Sequence, residues 1–93
     1  MSTSFGLDRP WRLADRVALR EERFGALLYH FGTRRLSFIK SRRLLAVVRG
    51  LADHPSARAA CAAAGVTDSE LPACARALAV LADGQMISER PAA

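Results

Sequence analysis

The segment of residues 24–51 constrains the fold most strongly, because two strand-like runs and a helix follow one another there with almost no linker. The two runs are Ala26–Phe31 and Arg35–Lys40, and Gly32 lies in the short turn between them. Such runs around a short glycine-containing turn predict a β-hairpin. A helical pattern of apolar residues then starts directly after Ser41, a favourable N-cap. We therefore expect a hairpin that leads straight into a helix.

The rest of the chain supplies one strand before the hairpin and two helices after the first one. Trp11–Leu19 has apolar residues at even spacing and predicts a first strand, with residues 20–23 as a charged connection to the hairpin. A second helix is expected from Ser56 to Gly65, and a third from the capping-box sequence at Thr67 to Gly84. The predicted fold is α+β: a three-stranded antiparallel sheet followed by three helices, similar to a winged helix-turn-helix.

A chain of 93 residues makes one domain. We expect a flexible segment at 1–9, a folded domain at 10–88 and a frayed end at 89–93. No apolar run reaches the length of a membrane span and the N-terminus is unlike a signal peptide, so a cytoplasmic location is expected. Cys61 and Cys74 form no CxxC pattern, so we expect buried free thiols and no metal site.

The positive charge lies in the strand-rich half of the chain. Residues 1–50 hold eleven basic and four acidic side chains, a balance of +7, whereas residues 51–93 hold three basic and five acidic ones, a balance of −2. A nucleic acid, an acidic peptide or an acidic protein surface could each complement the basic half.

The sequence argues against an enzyme and only weakly for a nucleic-acid-binding regulator. Glu21 and Glu22 are adjacent, so on a strand they point apart and cannot act as an acid/base pair. A recognition helix would carry basic side chains, yet the third helix has Arg76 among the acidic residues Asp68, Glu70 and Asp83. A small winged-helix regulator of nucleic acids remains the alternative function.

Peptide binding is the third possibility, and it centres on the second hairpin strand. This strand is expected at a sheet edge, where unpaired N–H and C=O groups can accept an added strand. The small-residue face of the third helix, with Cys74, Ala75 and Leu78, would leave room for a groove beside it. Charges on an edge strand also serve simply to prevent aggregation. Both parities of the strand are partly apolar, so either Ser37 or Phe38 could be the residue whose N–H points outward.

The amino-acid sequence resembles that of one known protein family. The residues that carry the resemblance read RPWRL, LLYHFGTRRLSFIKS and RRLLAVVRGLADHPSARAA. They resemble the mycofactocin-system peptide chaperones (MftB type), which belong to the PqqD-like peptide-recognition domains, and the resemblance extends from about Asp8 to Ile87. It implies a β3α3 fold that binds the leader of a precursor peptide as an added strand between the third strand and the third helix. The implied peptide-binding residues are Arg34, Arg35, Leu36, Ser37, Phe38, Ile39, Lys40, Leu71, Cys74, Ala75 and Leu78.

The resemblance also implies partners. The chain would present a precursor peptide with an acidic leader to a radical S-adenosylmethionine maturase during mycofactocin biosynthesis, with neither nucleic acid nor membrane as a partner. Iron–sulfur clusters and S-adenosylmethionine would belong to that enzyme, because this sequence has no cluster-binding cysteine motif. No cofactor is expected on this chain.

Overall fold

The chain forms two small antiparallel sheets and three helices in the computed structural model, which describes residues 5–91. The elements are β1 (Trp11–Leu13), β2 (Val17–Glu22), β3 (Gly25–His30), β4 (Leu36–Ile39), α1 (Arg42–Gly50), a 3₁₀ turn (Leu51–Asp53), α2 (Ala57–Ala63), α3 (Leu71–Asp83) and β5 (Ile87–Glu89). One sheet has the strand order β2-β3-β4, and the other pairs β1 with β5. The predicted α+β fold with a three-stranded antiparallel sheet is confirmed.

The single first strand expected over Trp11–Leu19 is wrong, because the chain turns at residues 14–16. The N–H of Val17 donates to the carbonyl of Ala14 at 3.1 Å, which closes that turn. The part before the turn joins β5, and the part after it joins the three-stranded sheet. The charged residues 20–22 are likewise not a connection but the end of β2. An edge strand tolerates them since one of its faces is open to solvent.

The register of the three-stranded sheet settles which face of β4 is buried. Leu28 of β3 lies opposite Ser37, and Ala26 lies opposite Ile39. Leu28 and Ile39 are 0% and 1% exposed, so the face of β4 that contains Ser37 and Ile39 points toward the helices. Leu36 and Phe38 lie on the opposite face of β4 and are 55% and 58% exposed. The outer face of the sheet is therefore open to solvent along β4.

Gly25 allows β3 and β4 to approach closely where the hairpin meets α1. Its φ is +146°, a region that residues with a Cβ rarely adopt. A Cβ at this position would lie only 1.8 Å from the carbonyl oxygen of Ile39. Only glycine fits here without a shift of the backbone.

Local capping signals place the ends of the first two helices as expected. The hydroxyl of Ser41 accepts a hydrogen bond from the N–H of Leu44 at 3.1 Å, and that of Ser56 accepts one from Ala59 at 3.1 Å. Gly65 follows α2 with φ +86°, a left-handed conformation typical of a residue just beyond a helix end. The predicted N-caps and the glycine stop are confirmed.

The third helix begins slightly later than its capping sequence. Thr67–Glu70 form a turn in which the carboxylate of Glu70 accepts from the backbone N–H of Thr67 at 3.0 Å, and α3 starts at Leu71. Gly84 caps its end as expected. The sequence pattern thus marks the right region, and the regular helix follows it.

The core lies between the inner face of the sheet and the helices. Its largest fully buried side chains are Trp11, Leu28, Ile39, Leu51, Leu78, Met86 and Ile87. Phe5 packs on Trp11 with ring centroids 5.0 Å apart, and the indole N–H of Trp11 donates to the carbonyl of Gly6 at 2.8 Å. Part of the segment 1–9, for which flexibility was predicted, thus packs on the core. Residues 1–4 and 92–93 lie outside the described residues. None of the helices within 5–91 combines the length and apolar character that crossing a bilayer requires.

Candidate functional site

The outer edge of β4 has unpaired backbone groups, and the turn before it shows which residues carry them. The N–H of His30 donates to the carbonyl of Arg35 at 3.0 Å, so His30 and Arg35 face each other across the ladder. Hydrogen-bonding positions alternate along an antiparallel pair. Ser37 and Ile39 therefore also bond to β3, and the residues between them point their backbone groups away from it.

The position of the Ile39 carbonyl supports this assignment independently. This oxygen points at Gly25 on β3, since a Cβ built on that glycine would nearly coincide with it. The N–H and C=O of Leu36 and of Phe38 consequently face outward. Among residues 5–91 no strand pairs with this edge. Four backbone groups are thus free to bond to an added strand.

A groove of about 700 Å³ lies between the start of α1 and the first half of α3. It is lined by Ser41, Arg43, Leu44, Val66, Ser69, Glu70, Ala73, Cys74 and Ala77. The side chains that α3 contributes to the groove, those of Ala73, Cys74 and Ala77, are all small. Ser41 lies two residues beyond the end of β4, so the groove opens beside that end of the free edge.

A second space, of about 350 Å³, lies at the other end of β4. It is lined by Thr33, Arg35, Asp83, Gly84 and Gln85. The end of α3 therefore neighbours the start of β4, and the start of α3 neighbours its end. The helix and the strand therefore run in opposite directions, with open space near both ends of the strand.

The structure brings together only part of the helix face expected at the site. Cys74 lines the groove, but Leu78 is completely buried in the core. Leu71 and Ala75 are half-buried and do not line it. The other eight residues that line the groove were missed by the sequence reasoning: Ser41, Arg43, Leu44, Val66, Ser69, Glu70, Ala73 and Ala77. The small residues 73, 74 and 77 share one side of a helix, a spacing from which their common face could have been recognised.

The cations around the groove differ in how they are paired. Arg43 contacts Glu70 at 2.6 Å on the groove wall. Hydrogen bonds from the backbone and hydroxyl of Thr67, and then the guanidinium of Arg43, hold the pKa of Glu70 below its usual range. The three cations predicted at the site, Arg34, Arg35 and Lys40, are exposed and form no ion pair with any carboxylate of residues 5–91.

The two cysteines are adjacent but differ in access. Their sulfur atoms lie 3.6 Å apart and both thiols are free. Burial, aided by the contact with Cys74, raises the pKa of Cys61 to about 12. Cys74 is half-buried and lines the groove, so the expectation of two buried thiols holds for Cys61 alone. Within residues 5–91 no group of three or more potential ligands could hold a metal ion.

Comparison with known proteins assigns the chain to a family. Residues 10–88 match the model of the Peptide chaperone MftB family. The chain belongs to this family. A protein of Mycobacterium ulcerans (strain Agy99) named Peptide chaperone MftB is 62% identical over 84 residues, which cover 90% of this chain and 77% of that protein. Its namesake in Mycobacterium tuberculosis (strain ATCC 25618 / H37Rv) is 55% identical over 89 residues, which cover 96% of this chain and 82% of that protein.

These findings confirm the family resemblance read from the sequence. A third Peptide chaperone MftB, from Mycolicibacterium smegmatis (strain ATCC 700084 / mc(2)155), is 54% identical over 84 residues, 90% of this chain and 82% of that protein. The MftB relatives are named as peptide chaperones, which supports the expected non-enzymatic role. No solved structure matches the chain significantly.

Proposed function

We propose that this chain captures the acidic leader of a precursor peptide by strand addition at β4 and presents it to a radical S-adenosylmethionine maturase in mycofactocin biosynthesis. The observation that carries the proposal is the unpaired edge of β4 beside an open groove, in a family whose named relatives are peptide chaperones. The chain itself holds no cofactor and acts in the cytoplasm. Its role is to bind and to present.

The backbone of β4 supplies the main attraction. The N–H and C=O groups of Leu36 and Phe38 would bond to the leader, as main-chain groups do in other strand-addition complexes. Side chains of an added strand alternate between its two faces. One set would point toward the small residues Cys74 and Ala77, and the other would lie beside Leu36 and Phe38 on the outer sheet face.

Charge favours an acidic occupant. Arg34 and Arg35 lie before the strand and Lys40 follows it, and all three are exposed. Since they have no carboxylate partner within residues 5–91, they are available to a leader. Exposed pairs of this kind are worth about 0.2–1 kcal/mol each and are screened by salt. They tune affinity, while the backbone sets the mode of binding.

Nucleic-acid regulation is the less favoured function, and the winged helix-turn-helix comparison stays a prediction. Across α3 the only cation is Arg76, and Asp83 offsets it. A helix that contacts phosphates would carry more positive charge. Nothing in the described residues favours this alternative over peptide capture.

Isothermal titration tests the proposal directly. The purified chain is titrated with a synthetic acidic leader peptide, for which a short acidic precursor encoded next to its gene would be the source, and separately with mixed-sequence duplex DNA. We expect saturable leader binding at micromolar affinity or tighter, about −8 kcal/mol or stronger, and no saturable DNA binding. Saturable DNA binding without leader binding would overturn the proposal.

Removal of the edge charges should weaken leader binding without unfolding the domain. We expect the triple variant R34S/R35S/K40S to bind about 3-fold to about 150-fold more weakly at low salt, the sum of three exposed pairs. Its affinity should also depend less on salt concentration. Titration at two salt concentrations measures both effects.

A control of identical net charge separates local pairing from the general attraction of a basic protein. The variant R12S/R49S/R58S removes three cations that lie away from β4 and pair with carboxylates of this chain. It should keep more of the affinity than the edge variant. Equal losses in the two variants would mean that the β4 cations do not contact the leader.

Alkylation of the thiols should report whether the leader fills the groove. At pH 8 we expect iodoacetamide to label Cys74 and not Cys61, whose pKa of about 12 keeps it protonated and whose side chain is buried. Saturating leader should slow the labelling of Cys74 several-fold, as followed by intact mass spectrometry. The Cys74→Ser variant is the control and should stay unlabelled until it is denatured. Unchanged labelling in the presence of bound leader would place the leader elsewhere.

A further inference from the structure

The outer face of the three-stranded sheet carries an exposed apolar surface. Phe24, Phe31, Leu36 and Phe38 are 51%, 59%, 55% and 58% exposed. The register places Leu27 beside Phe38 and Tyr29 beside Leu36, which joins these side chains across β3 and β4. Contiguous apolar surface of this kind on a small soluble domain marks a site of interaction.

The captured leader cannot cover this face. It would lie beside β4 and reach only the margin formed by Leu36 and Phe38. Tyr29 and Phe31 lie one strand farther in, and Arg20 on β2 lies two strands away, about 10 Å from β4. Most of the outer face therefore stays open when the edge is occupied.

The aromatic rings on this face lie against one another. Phe24 packs on Phe38 with ring centroids 5.7 Å apart, and Tyr29 packs edge-on against Phe31 at 5.2 Å. Rings supported in this way form a broad apolar surface across the sheet. Such a surface suits the face of another folded protein better than insertion into a bilayer.

The charged residues around this apolar surface indicate the charge that a partner protein must carry. Arg16 and Arg20 are exposed; the register places Arg20 on the outer face, and Arg16, one residue before β2, has the same alternation along the chain. Glu22 lies on that face and already pairs with Arg20 at 3.4 Å. A second copy of the chain would bring like charges together. A partner with carboxylates around an apolar centre would complement both features.

We propose that the outer sheet face is a docking surface for a protein whose contact surface has an apolar centre and an acidic rim. We assign that surface to the enzyme that modifies the captured peptide, and this assignment rests on the proposed function. Leader and enzyme then occupy different parts of the domain: the leader binds the edge of β4, and the enzyme binds the face formed by β2 and β3. Both can be bound at once, which presentation of a peptide requires.

A double variant on the face and a matched double variant elsewhere test this assignment. R20E/F31S changes one cation and one apolar side chain on the face, both exposed. R76E/V80S makes the equivalent changes on the solvent side of α3, where Val80 is 68% exposed. Each protein is checked by circular dichroism and then titrated with the synthetic leader and, separately, with the purified modifying enzyme. If R20E/F31S is not folded, Arg20→Glu alone replaces it.

We expect R20E/F31S to lose at least tenfold in affinity for the enzyme and to bind the leader as the parent does. The control R76E/V80S should keep the parent's affinity for the enzyme. Enzyme binding that is equal in parent and face variant, or absent in the parent, would overturn the docking surface while leaving leader capture intact. Failure of the parent to bind the leader would instead overturn the proposed function.

Two further readouts exclude other occupants of the face. Sedimentation velocity reports whether the parent forms a dimer that R20E/F31S abolishes, and co-sedimentation with phosphatidylserine vesicles reports membrane binding that the same variant abolishes. We expect a monomer and no vesicle binding. Either positive result would assign the face to a second copy or to a lipid surface, and would overturn the proposal.

Discussion

Phe38→Pro is expected to leave the domain folded and to lower leader affinity at least tenfold. Proline has no N–H to donate, and the N–H of Phe38 points outward where the leader would pair. The ring of Phe38 is 58% exposed, so its removal opens no cavity in the core. Loss of about 0.5–1.5 kcal/mol for one hydrogen bond, together with the bulk of the proline ring at the pairing edge, gives this magnitude.

The neighbouring variant Ser37→Pro should have the opposite outcome. The N–H of Ser37 points toward β3, opposite Leu28 in the middle of the sheet. Its loss breaks the ladder that holds β4, and we expect the domain to be largely unfolded at room temperature. Phe38 is thus the position that tests binding, and Ser37 is the position that tests the fold.

Circular dichroism and titration together decide between these outcomes. Phe38→Ala is the matched control, because it removes the ring and keeps the N–H; it should lose less leader affinity than Phe38→Pro. A folded Phe38→Pro protein that binds the leader as tightly as Phe38→Ala would contradict strand addition at this edge. The leader would then have to lie on the helical side of the groove alone.

Gly25→Ala is expected to cause the largest loss of stability among single methyl additions. The added Cβ would lie 1.8 Å from the carbonyl oxygen of Ile39, at a φ of +146°. Strain of the backbone and displacement of β4 should together lower the free energy of unfolding by about 3 kcal/mol or more. Urea denaturation measures this loss.

Gly65→Ala separates backbone strain from steric overlap. Gly65 also has a positive φ, of +86°, but nothing lies within 4 Å of a Cβ built there. We expect this variant to lose only about 1 kcal/mol, the usual cost of a left-handed conformation for alanine. Equal losses at the two glycines would show that β3 and β4 do not approach as closely as described.

The elements set by local signals could be predicted from the sequence. The hairpin turn, the N-caps at Ser41 and Ser56 and the glycine after α2 depend on residues close to one another in the chain. The break within Trp11–Leu19 depends on a distant partner, since β1 pairs with β5 more than seventy residues later. Alternation of apolar residues alone carries no information about such a pairing.

The candidate site also has features that could be predicted from the sequence and features that could not. The strand and the helix that flank it could be identified, but the orientation of the strand could not, because Ser37 and Phe38 are each compatible with either face. On α3 nearly every residue is small or apolar, so periodicity does not distinguish the groove face from the core face. Cys74 and Ala77 proved to face the groove, while Leu78 faces the core.

Amide hydrogen exchange, followed by nuclear magnetic resonance with and without the leader, tests strand addition most directly. In the free protein the amides of Ser37 and Ile39 should exchange slowly because they bond to β3, whereas those of Leu36 and Phe38 should exchange fast. Saturating leader should slow exchange at Leu36 and Phe38 at least tenfold and change the other two much less. Fast exchange at both residues with the leader fully bound would contradict strand addition at β4.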